Sequence, residues 1–395
     1  MKFEQIDLGK IAEVLTGFPF KSKEFNEEGL GYFLIRGKNV SESFIKKGKD
    51  AKFWNHNLDK KMEKYLLKEN DIVIGMDGSK VGKNVSKIST GEVPSLLVQR
   101  VARLRVKEGY DQNFLYYHFF NNRFNNYVNS IKTGTSIPHI SPKQISEYQV
   151  TNFPINEQKR VVSIIEPILE KIELNNQIIA TLEELAATLF KRWFVDFEFP
   201  DENGNPYKSS GGKMVDSELG EIPEGWITTT LGSQVSFEYG KSLTKSQRNF
   251  GTIPVYGSNG IVDYHDKELV SGPGIIIGRK GTVGTVNFSS KDFYPIDTTF
   301  WVKILTDTKP INYFYFLLKN LNLDNLTSDS AVPGLNRNTA LRTEIVVPTE
   351  RAINHFERTV ETFRYLSDEI EDNIGSLGDV RDSLLFKILL GEIEV

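Results

Sequence analysis

A chain of 395 residues is too long for one ordinary hydrophobic core and calls for two domains or more. Hydrophobic residues at 39% and charged residues at 25% are a globular balance; no run of 18 apolar residues could span a bilayer, and the absence of cysteine removes disulfides and thiolate metal sites together. The net charge of -4 argues against nucleic acid only until it is resolved along the chain, because local clustering matters more than the sum. The start, MKFEQIDLGK, lacks the apolar core of a signal peptide, so a cytoplasmic location is expected.

Residues 1–154 mix short β-branched runs such as DIVIG with glycine turns and one aromatic helix, FLYYHFF, and carry 24 Lys+Arg against 17 Asp+Glu, so this first domain is basic. Residues 155–200 change character. Apolar residues fall at Val161, Ile165, Ile168, Ile172, Ile179, Leu182, Ala186, Leu189 and Trp193, with Asn175 as the one polar member. That alternating 4-3 spacing keeps a single seam on one face of a helix. Pro167 lies inside the pattern, where it is expected to kink the helix or mark its true start. A polar linker, Phe199 to Trp226, follows. The rest of 201–348 reads as a second domain, with GIIIG and TTFWVKI runs and the aromatic helix YFYFLLK. Residues 349–395 form a second helix with Phe356, Val360, Phe363, Ser367, Ile370, Ile374, Leu377, Leu384 and Ile388 on one face, weakened at its centre by Gly375 and Gly378.

The two halves are a duplication. LGKIAEVLTG (Leu8 to Gly17) is answered by LGSQVSFEYG (Leu231 to Gly240), displaced by 223 residues. DIVIGMDGSKVGKNV (Asp71 to Val85) is answered by GIIIGRKGTVGTV (Gly274 to Val286), TSIPHIS (Thr135 to Ser141) by SAVPGLN (Ser330 to Asn336), and each long helix ends in LFK. The two helices are about 60 Å long at roughly 1.5 Å per residue, too long for one small domain to cover. Connectivity makes the second run back along the first. The expected fold is α+β: two homologous α/β domains joined by two long helices in an antiparallel coiled coil, with a pseudo-two-fold internal repeat. The seam is expected to use Ile165, Ile168, Ile172, Ile179, Leu182, Leu189, Val360, Phe363, Ile370, Leu377 and Leu384.

Familiar catalytic signatures are missing. GRKGTVG lacks the Gly-Lys-Ser/Thr ending with which a P-loop holds phosphate, and YGKS (Tyr239 to Ser242) has Val235 where the earlier glycine would stand. His56, His118, His139, His265 and His355 are scattered, none with a second ligand at metal spacing. GNPYK (Gly204 to Lys208) is similar to the Asn-Pro-Pro-Tyr motif of DNA amino-methyltransferases but lacks one proline and reads as a turn. No catalytic residue, cofactor or metal site is assigned.

What remains is a set of loops rich in Gly, Ser, Asn, Lys and Arg at matching places. They are Thr16–Lys23, Ile35–Val40, Gly75–Asn84 and Lys132–Ser141 in the first domain, and Tyr239–Arg248, Val255–Gly260, Gly278–Gly284 and Ser328–Asn338 in the second. Such loops are ordinary surface turns or a binding surface. Glycine lets backbone approach a phosphate, Lys and Arg supply charge, and Asn, Ser and Arg hydrogen-bond base edges. Duplication makes double-stranded DNA the leading ligand. The candidate contacts are Lys21, Arg36, Lys38, Asn39, Lys80 and Lys83, then Lys241, Lys245, Arg248, Tyr256, Ser258, Asn259, Arg279 and Lys280.

Over essentially its whole length the chain resembles the specificity subunit of type I restriction-modification systems. The resemblance is densest in INEQKRVVSIIEPILEKIELNNQIIATLEELAATLFKRWFVDF (Ile155 to Phe197), DSELGEIPEGW (Asp216 to Trp226), IPVYGSNGIVDYHD (Ile253 to Asp266) and Gly272 to Val302. It implies a target recognition domain at 1–154, a central spacer helix at 155–200, linker and second target recognition domain at 201–348, and a C-terminal spacer helix at 349–395. It further implies a non-catalytic subunit that reads a split, asymmetric DNA site with a fixed spacer. Two modification (methyltransferase) subunits and the ATP-dependent restriction subunits would dock on it, and S-adenosylmethionine and ATP would belong to those partners. The competing expectation is a coiled-coil scaffold whose end domains bind protein; a nuclease or methyltransferase acting alone comes third.

Overall fold

A computed structural model of the chain describes residues 4–48, 50–120, 122–131, 138–326 and 334–393. The chain divides into two compact units, Met1–Glu173 with Ile374–Val395, and Leu174–Asn373. Each therefore takes one α/β portion together with part of both long helices.

The first unit runs β1 (Gln5–Asp7), α1 (Leu8–Ile11), β2 (Ala12–Thr16), β3 (Tyr32–Ile35), β4 (Phe53–Trp54), β5 (Leu66–Leu67), β6 (Ile72–Gly75), β7 (Val85–Lys87), β8 (Ser95–Leu97) and β9 (Val101–Val106). Then come α2 (Gln112–Tyr117), α3 (Asn122–Ile131), α4 (Pro142–Ser146), β10 (Gln149–Thr151) and the long α5 (Ile155–Phe190). One sheet has the order β2-β9-β6-β7 and a second β4-β3-β8-β5, in which β3 and β8 are parallel. The apolar run in β6 is continuous because both its faces are covered. Ile72 and Ile74 join the core containing Phe114 and Tyr117 of α2, whereas Val73 joins Phe33, Ile35 and Leu97 of the second sheet.

The second unit repeats this plan after a short hairpin, β11 (Met214–Ser217) and β12 (Gly220–Pro223). Its elements are β13 (Ile227–Thr230), α6 (Leu231–Gln234), β14 (Val235–Tyr239), β15 (Ile253–Gly257), β16 (Gly260–His265), β17 (Gly274–Gly278), β18 (Val286–Ser289), β19 (Tyr294–Pro295) and β20 (Thr299–Ile304). The unit continues with α7 (Ile311–Asn320), α8 (Arg337–Leu341), β21 (Glu344–Val347) and α9 (Glu350–Leu389). Sheet β14-β20-β17-β18 answers β2-β9-β6-β7, and β16-β15-β19, with β15 and β19 parallel, answers β4-β3-β8. The alternation recurs: Ile275 and Ile277 face the α7 aromatics, and Ile276 faces Tyr256 and Phe293. Gly17 and Gly240, which close the first repeated motif, have one shared purpose. A Cβ at Gly17 would stand 2.1 Å from the carbonyl oxygen of Val98, and one at Gly240 2.2 Å from that of Ile296.

The seam positions point inward. In the first unit Val161 and Ile165 of α5 pack with Leu385, Ile388 and Leu389 of α9 against the aromatic α2. Ile168, Ile172, Leu377 and Leu384 are half-buried. In the second unit Ala186 and Phe190 pack with Ile353, Phe356 and Val360 against Tyr313 and Phe316 of α7. Ile179, Leu182, Leu189, Phe363 and Ile370 are half-buried. Asn175, the polar member of the pattern, is buried and donates its amide to Asn373 at 3.0 Å, which matches polar groups across the seam. That contact and the Glu183–Arg364 pair at 3.1 Å fix an antiparallel direction in this unit.

Two expectations are corrected. Helix α5 begins at Ile155 and continues through Pro167, so the proline does not mark the start of the helix. Pro167 and Ser163, whose carbonyl loses its partner, are both exposed, so solvent replaces the missing hydrogen bond. The segment from Phe199 to Trp226 is not a plain linker. Phe199 stacks on Tyr207 at 4.6 Å and on Trp226 at 4.9 Å, and the β11–β12 hairpin follows. GNPYK lies in a turn where Asp201 accepts from the backbone of Asn203 and Asn205, each at 2.8 Å. Among the described residues no helix is long and apolar enough to cross a membrane.

Glu183 on α5 also accepts from Lys319 Nζ at 2.9 Å and from the Tyr315 hydroxyl at 2.8 Å, both on α7. Burial pushes this carboxyl up, but Arg364, Lys319 and Tyr315 outweigh it and hold it below the usual carboxylate range. A depressed carboxyl stabilises the fold above its unfolded pKa of about 4.3, and that contribution disappears as pH falls through the folded value. Urea titrations below about pH 5 should therefore show a loss of stability in the wild type that Glu183→Gln flattens. At pH 7 Arg364→Ala should cost about 1.5–3 kcal/mol.

Candidate nucleic-acid interface

In the first unit the loops after β3 and β6, the β8–β9 turn and the Phe20–Phe25 segment enclose a cleft of about 560 Å³. Arg36, Lys38, Lys46, Lys80 and Arg100 line it, against Asp77 as the one carboxylate among its lining residues. The carboxylate organises the floor. Asp77 pairs with Arg100 at 3.1 Å and with His139, and an isolated β-bridge joins Asp77 to His139. Arg100 sits at φ 69, a left-handed conformation that costs a side-chain-bearing residue energy and here turns β8 into β9 beside the cleft. Arg36 donates to the carbonyl of Asp50 at 2.9 Å, and Lys38 pairs with the Asp50 carboxylate. Burial lowers the Arg36 pKa, though a guanidinium stays charged at neutral pH.

The other candidates of this unit separate into different places. Lys21 is exposed, with Glu24 at 4.0 Å, and Lys83 lines a smaller recess with Tyr116, Phe120 and Arg381. Asn39 is corrected. Its side chain is buried, accepts from the backbone of Arg36 at 3.1 Å and donates to the carbonyl of Lys46 at 2.8 Å, so it shapes the loop that presents Arg36 and Lys38.

In the second unit Arg279 and Arg337 converge on one ring. Their guanidinium carbons lie 5.0 and 5.6 Å from the centre of Tyr239, which is half exposed at the end of β14. Arg279 also donates to the carbonyl of Asp297 at 3.2 Å, and neither arginine has an ion-pair partner among the described residues. An isolated β-bridge, Lys280 to Gly334, closes the same loop that Asp77 and His139 close in the first unit. Lys241, Lys245, Asn259 and Lys280 are exposed.

Three candidates here are committed to the framework. Ser258 is buried with its hydroxyl against the carbonyls of Lys280 and Thr298, the latter at 2.8 Å. Tyr256 is buried and donates to the carbonyl of Phe288 at 3.3 Å; burial pushes its phenol up. Arg248 pairs with Asp263 at 3.1 Å, and its hydrogen bond holds that carboxyl below the usual range. Residues 132–137 and 328–333 of the remaining loop pair, including the first three residues of TSIPHIS and the first four of SAVPGLN, lie outside the described residues.

Lys46, Gln99 and Arg100 lie outside the loops that the sequence singles out, and Tyr239 and Arg337 lie inside two of them without being among the candidate contacts. Gln99 and Arg100 interrupt an apolar run without the glycine that usually marks such a turn. Tyr239 reads as the end of a strand, and Arg337 opens a short helix.

A family model described as the type I restriction modification DNA specificity domain matches the chain twice, over residues 1–184 and 223–371. The HindI specificity subunit of Haemophilus influenzae is 26% identical over 365 residues, covering 71% of this chain and 77% of that one. The EcoAI specificity subunit of Escherichia coli is 31% identical over 191 residues, 46% of this chain and 31% of that one. In three dimensions the chain is similar to the S subunit of a type I restriction-modification system from M. genitalium, with a TM-score of 0.51 at 18% identity, over 98% of this chain and 96% of the other.

The Ser258 hydroxyl ties two loops through their backbones, which separates its loss from a change of surface. Ser258→Ala should lower unfolding free energy by about 1 kcal/mol in urea titrations. Asn259→Ala, on an exposed neighbour, should leave it within about 0.5 kcal/mol of wild type.

Proposed function

Because the chain belongs to the type I restriction-modification DNA specificity family, we propose that it is the DNA-reading subunit of such a complex and recognises a two-part, asymmetric site. The observation that carries this reading is the repeat itself. Two homologous units each present loops of the same origin, closed by the same kind of β-bridge, with arginines and lysines that outnumber the acids beside them. The residues differ between the units, so the half-sites differ, and the joining helices set the gap between them. Half-sites about one helical turn apart, roughly 34–36 Å, lie on one face of the duplex.

In this reading the cleft of the first unit and the Tyr239 arginine pair of the second grip phosphates and base edges, while Asn39, Tyr256 and Ser258 hold the loops in shape. A guanidinium resting on an aromatic ring keeps its fork of donors free for a phosphate or for guanine. Two modification subunits and the restriction subunits dock on the same chain, and methyl transfer from S-adenosylmethionine and ATP-driven cleavage belong to them. The whole assembly works in the cytoplasm, where the DNA is.

Fluorescence anisotropy of the assembled complex on duplex DNA at several salt concentrations tests the reading. The wild type should show a steep salt dependence, with a slope near 0.9 per phosphate neutralised. Replacing both Arg279 and Arg337 by alanine should weaken binding and reduce that slope by about one to two, with the modification subunits still bound. An unchanged slope, or loss of the assembly, would show that these arginines serve the fold.

A further inference from the structure

Residues 240–252, GKSLTKSQRNFGT, contain three cations, no acid and two large apolar residues, Leu243 and Phe250. Phe250 is 103% exposed, as open to water as in an isolated extended chain. Its neighbours are nevertheless tied down. Asn249 donates its backbone N–H to His265 Nδ1 and its side-chain amide to Asp266, each at 3.1 Å. Gly251 lies against the end of β16, where a Cβ would stand 2.1 Å from the carbonyl oxygen of His265. Arg248, on the other side, is held by Asp263 and by the carbonyl of Leu243 at 3.2 Å. A ring with anchored residues on both sides is held out from the surface by design of the loop.

The first unit uses the same backbone device. A Cβ at Gly31 would stand 2.1 Å from the carbonyl oxygen of Trp54 at the end of β4, and the residue before it, Leu30, is 53% exposed. The loops differ in charge, because the first carries Glu24, Glu27 and Glu28 where the second carries no acid. The carboxylates beside Phe250, Asp263 and Asp266, are taken by Arg248 and Asn249.

We propose that Phe250 is an aromatic wedge that stacks on base faces at one step of the bound duplex, partly unstacking it. The proposal rests on the DNA-reading function above. An aromatic ring gains by exchanging water for a base face, and a protruding apolar side chain next to cations is the arrangement that opens a step while phosphates on either side are held. Lys241 and Lys245 supply that charge, and the acid-free loop favours a polyanion over a protein surface as the occupant. Flexible pyrimidine–purine steps yield most readily, so the wedge makes one position of the second half-site selective through deformability.

The test uses the chain assembled with its modification subunits and a duplex carrying the site found by sequencing methylated adenines, with 2-aminopurine placed at successive positions of the second half-site. Wild type should brighten the probe at one step, and Phe250→Ala should abolish the signal and weaken binding on the order of tenfold with the salt slope unchanged. Phe250→Trp should retain both, and Lys245→Ala should reduce the salt slope and keep the signal. Phe250→Ala binding and brightening like wild type would overturn the proposal. So would its losing the modification subunits, which would make Phe250 a protein contact. A wild-type complex that binds no duplex would sink the DNA-reading function and the wedge with it.

Discussion

Each unit depends on one packing event, the closure of two antiparallel helix portions over a short aromatic helix. In the first unit Val161, Ile165, Leu385 and Ile388 close over Phe114 and Tyr117; in the second Phe190, Phe356 and Val360 close over Tyr313 and Phe316. These aromatic helices in turn cover one face of the central strand, whose other face covers the second sheet. A single β-branched strand thus transmits position from the helices to the loops that follow it, Gly75–Asn84 and Gly278–Gly284. Fully buried aromatic and aliphatic side chains of this kind are worth about 1.5–3 kcal/mol each, so the helices are part of both cores and not an attachment to them.

Electrostatics then divides the molecule by task. At the helix pair, charge is satisfied internally: Glu183 has three partners and Asn175 meets Asn373. At the loops, basic charge is in excess. Arg279 and Arg337 share one ring, and the five basic side chains of the first cleft meet two carboxylates, Asp77 in its lining and Asp50 paired with Lys38. Like charges held close raise the energy of the free protein, and a polyanion relieves that cost when it binds. This is the physical sense in which a chain with a net charge of -4 serves a DNA-specificity family.

The duplication and the seam were legible in the sequence because each rests on a strict local constraint. Leu8–Gly9 and Leu231–Gly232 recur with their closing glycines because Gly17 and Gly240 must pass close to another strand, and the 4-3 spacing persists because one helix face must stay apolar. Pro167 does not start the helix, because whether a proline ends a helix depends on whether solvent can reach the freed carbonyl. The loop residues were legible only as a class. Nothing in GKNV or VYGSNG distinguishes an asparagine, tyrosine or serine that points inward to tie the loop from one that points out, and Asn39, Tyr256 and Ser258 all point inward. Arg100 escaped notice because its left-handed turn lacks glycine, and the aromatic stack of Phe199, Tyr207 and Trp226 lies in a sequence polar enough to pass for linker.

We propose that two homologous but different loop sets choose bases while the helices that join them set the distance. Single-molecule sequencing of methylated adenines in cells making this chain with its modification subunits tests it most directly. The account predicts one asymmetric motif of two unlike specific segments separated by a constant number of unspecified base pairs. A single uninterrupted motif, two identical half-sites or a variable gap would contradict it.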